Sequence, residues 1–128
     1  MAEVISTSAA PAAIGAYSQA IKVGSTVYIS GQIPLQPDTM EVHPGDFRDR
    51  VDQVLHNLSA VALAAGGGLD RIVKLTVYLL RMDDFTILNE QIEAMWPAPY
   101  PARAVVAVAA LPKGVDVEME AVMDVSSG

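Results

Sequence analysis

The sequence predicts an α+β sandwich in the order ββαβαββ, a mixed sheet with both helices on one face. Runs of period-two alternation bracket two runs with apolar residues at three- and four-residue steps. Each helical run follows a strand-like run, an arrangement that lays helices on one side of a sheet. Gly, Pro and Asp punctuate the boundaries, and no repeat, low-complexity tract or linker intervenes, so residues 1–128 are expected to form a single domain.

The first strands lie in "AYSQAIKVGSTVYISGQIPLQP", two β-type runs about Val23-Gly24-Ser25, the spacing of a hairpin with glycine at its turn. Thr26, Tyr28 and Ser30 then share one face. "QPDTMEVHPGD" is loop. From Asp46, a predicted N-cap, Phe47, Val51, Val54, Leu55, Leu58, Val61, Ala62 and Ala65 trace one helical face, with Arg48, Asp49, Asp52, Gln53 and Asn57 between them. Gly66-Gly67-Gly68 turns the chain out of that helix; glycines that follow a helix do not cradle a phosphate. "RIVKLTVYLL" reads as a strand, and "RMDDFTILNEQIEAMWP" as a second helix with an Asp cap and a Pro stop. Two last strands, from Ala102 to Leu111 and from Val115 to Val122, flank a Pro-Lys-Gly turn.

With 52% hydrophobic and 18% charged residues, the chain has the composition of a compact domain and not of a disordered one. Part of that apolar excess is expected to cover a subunit interface, the uncovered sheet faces packing together in an oligomer. The absence of cysteine removes disulfides, thiolate nucleophiles and thiolate metal sites. "MAEVISTSAAPAAIG" lacks the basic and apolar regions of a leader, and no later stretch has the length of a membrane span, so a cytoplasmic protein without membrane contact is expected. A net charge of −7 argues against a nucleic-acid partner, which calls for clustered Lys and Arg.

One residue conflicts with its surroundings. In "YPARAVVAVAALPKG", Arg103 opens a run of alanine, valine and leucine, and it is the only cation between Met82 and Pro112. A guanidinium cannot shed its proton, so Arg103 must reach water, pair with a carboxylate, or await an anionic ligand. Its planar fork suits a carboxylate, held by two parallel hydrogen bonds. Glu118 and Glu120, in the alternating "VDVEMEAVMD", are possible partners or simply a solvated strand face; if the last two strands form a hairpin, cross-strand parity decides whether they share a face with Arg103, unless a bulge or a neighbouring subunit changes the answer. His43 and His56 have no partner at metal-ligand spacing, so no metal site is expected. No serine has an evident base beside it. Met40, Met82, Met95, Met119 and Met123 read as core filler, and Tyr17 and Tyr28 as sheet residues or hydroxyls for a ligand.

Taken together, "GAYSQA", "ISGQIP", "VKLTVYL" with "MDDF" and the following Asn, and "YPARAVVAVAALPKGVDVEMEA" resemble the Rid family, the reactive intermediate deaminases, also called YjgF-like or L-PSP proteins. The likeness runs from Ile5 to Met123 in the family's order and is most specific in the C-terminal segment. It implies a homotrimer of chorismate-mutase-like fold with a central barrel and ligand clefts between subunits. It implies the activity of the RidA-like subgroup: hydrolysis of 2-iminobutanoate, 2-iminopropanoate and their enamines to 2-keto acids and ammonia, with no metal or organic cofactor. By the same resemblance Arg103 matches the arginine that grips the substrate carboxylate and Glu118 the glutamate associated with the attacking water. Ser30 and Gly31 match the pocket wall, and Tyr17 and Asn89 its remaining polar lining.

Two positions depart from the pattern: Val105 stands where many RidA members have cysteine, and Ala16 replaces a proline before Tyr17. Neither removes the carboxylate clamp, though Val105 is expected to bear on pocket shape and substrate preference. Two other functions remain open: a sensor that holds a keto acid without turnover, and the ribonuclease or translation inhibitor of the family's older naming, which fits an acidic chain poorly. A chaperone-like role for an apolar surface is weaker still.

Overall fold

The structure, a computed structural model, describes residues 2–126. Its elements are β1 (Ala2–Ile5), β2 (Ala20–Val23), β3 (Thr26–Gln32), α1 (Phe47–Ala64), β4 (Ile72–Leu79), α2 (Phe85–Met95), β5 (Ala102–Ala107) and β6 (Val117–Asp124). The strands form one sheet in the order β1-β2-β3-β6-β4-β5, antiparallel throughout except for the parallel pair β4 and β5. This is the expected α+β architecture with one addition, β1. Its four residues are exposed save Ile5 and pair on one side only, to β2, so they carry no clear alternation that sequence could have shown.

The hairpin of β2 and β3 turns at Gly24, whose φ of 61° is the left-handed conformation that glycine adopts without penalty. The first helix starts at a reciprocal cap: Asp49 N–H donates to Asp46 Oδ1 at 3.0 Å, and Asp46 N–H to Asp49 Oδ2 at 3.1 Å. It ends where Gly66 takes φ 94° and Gly67 N–H returns to the Ala62 carbonyl at 2.9 Å. Phe47, Val51, Val54, Leu55, Leu58, Val61 and Ala62 face the sheet and meet Val27, Ile29, Leu75, Val77, Leu79, Val117, Met119 and Met123 in one core. Asn57, expected among the polar residues, is instead 1% exposed. Its amide donates to the Ile33 and Leu35 carbonyls at 3.2 and 2.9 Å, fastening the loop after β3 to α1. Of the methionines read as core filler, Met119 and Met123 are fully buried, whereas Met82 is exposed.

The last two strands do not form a hairpin. β4 lies between them: β5 pairs with β4 alone, while β6 joins β4 to β3. The physical reason is the crossover through α2, which can only deliver β5 parallel to β4 on its outer side. In β6, Val117, Met119, Ala121 and Met123 are all buried, as suits a central strand, whereas β5 is built of small, largely exposed residues and forms the edge. It also stops at Ala107, short of Leu111, because its partner β4 ends at Leu79.

Both helices cover the same sheet face, α1 on β3 and β6, and α2 beside α1. The opposite face presents Tyr28, Thr76, Tyr78, Glu118, Glu120 and Val122. Among the described residues no helix is long and apolar enough to cross a membrane.

Candidate active site

The six candidate residues fall into two clusters. Arg103 aligns with Leu75, whose side chain is buried beneath the helices, so the guanidinium stands on the helix side of the sheet at its outer edge. There α2 presents Phe85, Asn89 and Glu93, four residues apart and therefore on one stripe. Arg103 Nη1 donates to Asn89 Oδ1 at 3.0 Å, its Cζ lies 5.4 Å from the Phe85 ring centroid, and Asn89 Nδ2 donates to Glu93 Oε1 at 2.9 Å. Asn89 and Arg103 share a cavity of about 330 Å³ with Leu75, Ile92, Glu93 and Tyr100. Among the described residues no carboxylate comes within 4.0 Å of the guanidinium, so within the chain Arg103 makes no ion pair with Glu118 or Glu120.

Glu118 faces the other way. It aligns with Tyr78 on the uncovered side of the sheet, so parity places Arg103 and Glu118 on opposite faces of the same chain. Around Glu118 gather Tyr17, Ser30 and Gly31, in an open cleft of about 500 Å³ that also includes Ile14 and Glu120. The strand β3 is irregular between Ile29 and Gln32, and this brings Ser30-Gly31 against the carboxylate. A Cβ at Gly31 would lie 2.9 Å from Glu118 Cδ and overlap Oε2, so any larger residue here would push the carboxylate from its place. Burial, and after it the charge of Glu120, raise the Glu118 pKa above the ordinary carboxylate value. The Tyr78 hydroxyl donates to Glu120, and that bond holds the phenolic proton more tightly than usual.

The loop carrying Tyr17 is organised by Gln19, which is buried: its amide accepts from Thr7 N–H at 2.7 Å and donates to the Pro11 carbonyl at 2.8 Å. Ser30 Oγ donates to the Ser18 carbonyl at 2.6 Å, and Tyr17, half exposed, receives the Ile14 N–H at 3.3 Å. Val105 is partly buried and packs against the core beside Val77. His43 lies against Gln36 in its loop and His56 is exposed on α1; among the described residues no group of three or more His, Cys, Asp or Glu could hold a metal ion.

Gln19, Phe85, Glu93 and Tyr100 were not foreseen as site residues. The stripe Phe85-Asn89-Glu93 had a signal in its four-residue spacing; Gln19 and Tyr100 had only their place in the motifs that carry the resemblance.

A mixed six-stranded sheet with two helices on one face, an edge arginine with no carboxylate within 4.0 Å among the described residues and a partly buried glutamate on the opposite face define the class, a small α+β protein. A profile of the family described as Endoribonuclease L-PSP matches residues 7–125, and the chain belongs to that family. It is 47% identical over 126 residues to the RutC family protein y4sK of Sinorhizobium fredii, covering 98% of this chain and 100% of the relative. It is equally 47% identical over 120 residues to the 2-iminobutanoate/2-iminopropanoate deaminase of Mus musculus, covering 94% and 89%. Among solved structures, RidA from the Antarctic bacterium Psychrobacter sp. superposes with a TM-score of 0.93 at 52% identity, covering 95% of this chain and 98% of that one.

Proposed function

We propose that the protein hydrolyses 2-imino acids and their enamine tautomers, 2-iminobutanoate and 2-iminopropanoate among them, to 2-keto acids and ammonia. The observation that carries this reading is Arg103: a guanidinium on a rigid strand edge, held at Nη1 by Asn89 and free of any carboxylate among the described residues. Such a group fixes the permanent carboxylate of an imino acid and so places its C=N carbon. The deaminase name of the mouse relative supports the choice of substrate.

Glu118 supplies the proton chemistry. Its raised pKa suits a carboxylate that takes a proton from water and returns it. Water oxygen bonds to C2 as the C=N π pair moves to nitrogen; the resulting carbinolamine then expels ammonia as the oxygen lone pair forms the keto C=O. Glu118 carries both water protons in turn: the first passes to the former imine nitrogen as the carbinolamine forms, the second leaves the carbinolamine hydroxyl as the C=O closes and completes the departing ammonia, so the residue ends as it began. Ser30 and Gly31 wall the cleft, with Tyr17 at its polar side. No step draws on a metal or organic cofactor.

One chain holds Arg103 and Glu118 on opposite sheet faces, so a small molecule needs these groups from neighbouring copies. A homotrimer with the uncovered sheet faces around a central barrel meets that need, each cleft joining the Glu118 side of one copy to Arg103 of the next.

The test couples a serine/threonine dehydratase to the purified protein and follows loss of the imine. Wild-type protein should accelerate it, and Arg103→Ala should lower kcat/KM by about a hundredfold, the loss of a charge-assisted pair of hydrogen bonds. No acceleration over buffer, or an Arg103→Ala variant as fast as wild type, overturns the reading; pyruvate binding without turnover would replace it with the sensor.

A further inference from the structure

We propose that Glu93 is a positioning residue for the Arg103 clamp, acting through Asn89. The inference rests on the carboxylate-clamp reading of Arg103, and it begins with the chemistry of an amide. Asn89 has one accepting and one donating end, its guanidinium neighbour can only donate, and an ionised carboxylate can only accept. With Arg103 on one side and Glu93 on the other, one amide orientation satisfies both: Oδ1 receives Arg103 Nη1 at 3.0 Å and Nδ2 reaches Glu93 Oε1 at 2.9 Å. The flipped amide would set donor against donor and acceptor against acceptor.

The same contacts decide which edge of the guanidinium meets the substrate. Asn89 holds Nη1, and Cζ sits over the Phe85 ring, 5.4 Å from its centroid. The edge formed by Nε and Nη2 has no hydrogen-bond partner among the described residues, and two parallel N–H groups there match a carboxylate. Glu93 lines the same cavity, where a negative charge on its own would oppose an anionic ligand. Yet it makes no ion pair with Arg103 within 4.0 Å, so it leaves the clamp's charge available while fixing its direction. Phe85, Asn89 and Glu93 occupy successive turns of one helix, so the whole support is delivered by α2 as a rigid unit.

The experiment compares Glu93→Ala and Glu93→Gln with wild type in the dehydratase-coupled assay and by calorimetry with pyruvate. Glutamine still accepts from Asn89 Nδ2 and alanine does not. Expected are a rise in KM and in the pyruvate Kd of about fivefold for Glu93→Ala, the scale of one lost hydrogen bond, with kcat within about twofold, and recovery in Glu93→Gln. Equal loss in both variants, or loss in neither, overturns the proposal while leaving the deaminase reading intact.

A second readout does not depend on turnover. In the ligand-free protein, the Asn89 side-chain amide and Arg103 Nε–H NMR signals should move in Glu93→Ala and keep their wild-type positions in Glu93→Gln. Unchanged signals in Glu93→Ala overturn the positioning role; displaced signals uphold the orientation of Arg103 by Glu93 through Asn89, and if wild-type protein then neither binds pyruvate nor consumes imine, it is the clamp reading that fails.

Discussion

Glu118 shows how much chemistry one position can hold. Its folded pKa is raised by burial and by Glu120, so the protonated carboxyl is the form the fold prefers. The sign follows: the group's favourable contribution is complete below its ordinary value of 4.5 and is lost as pH rises through the raised folded value. Glu118→Gln should therefore match wild type in Tm in acid and equal or exceed it at neutral pH, while imine hydrolysis falls; a neutral-pH Tm well below wild type would contradict this. Gly31 supplies the complementary experiment. Its backbone is not left-handed, so alanine there strains no dihedral but must displace the Glu118 carboxylate. Activity should drop by about tenfold or more with a nearly unchanged Tm, as expected when a positioned acid-base group is misplaced. None of this closeness was readable in "ISGQIP", because sequence shows neither the irregularity of β3 nor the strand lying beside it.

At the scale of elements, most local signals and the β2–β3 hairpin were read well, whereas the pairing of the last two strands was not, and Asp84 at the start of α2 makes no side-chain cap because its backbone is already helical there. The Asp46 cap, the apolar face of α1 and the glycine exit each depend on neighbours within a few residues, and all three stand in the structure. The partnership of β6 depends on where α2 returns the chain, and the Pro-Lys-Gly turn looks the same whether or not its flanking strands pair. Asn57 fails for the same reason: its partners, Ile33 and Leu35, are more than twenty residues away. One long-range contact shows the cost of losing such a link. Arg50 grips Asp116 by Nε at 2.9 Å and Nη2 at 2.7 Å, and donates to the Gly45 carbonyl at 2.6 Å, tying α1 to the approach to β6. The pair is mostly buried, so Asp116→Ala should lower unfolding free energy by about 1–3 kcal/mol in urea titration. A change within experimental error would mean that water replaces the carboxylate.

For the whole molecule, the decisive fact is that Arg103 and Glu118 look out from opposite faces. The resemblance pointed to both residues, but that they stand on opposite faces is a matter of sheet parity, visible only once β4 is known to separate β5 from β6. If clefts join neighbouring copies of a trimer, inactive Arg103→Ala and inactive Glu118→Gln chains, unfolded together in equal amounts and refolded, should regain about a quarter of wild-type activity, since that share of random interfaces pairs an intact Glu118 with an intact Arg103. A mixture as dead as its components would show that each chain carries its own complete site.

The place of β6 has a further consequence, for the order in which the protein can be made. Everything up to Asp116 supplies two separate ribbons, β1-β2-β3 and β4-β5, and the segment Val117–Asp124 is the seam that zips them into a continuous surface. A nascent chain on the ribosome therefore has helices and ribbons in hand but no closed core until β6 has emerged, so folding of the sheet waits on that strand. The strand that brings Glu118 is also the one that closes the core, so the cleft around Glu118 and the core form together.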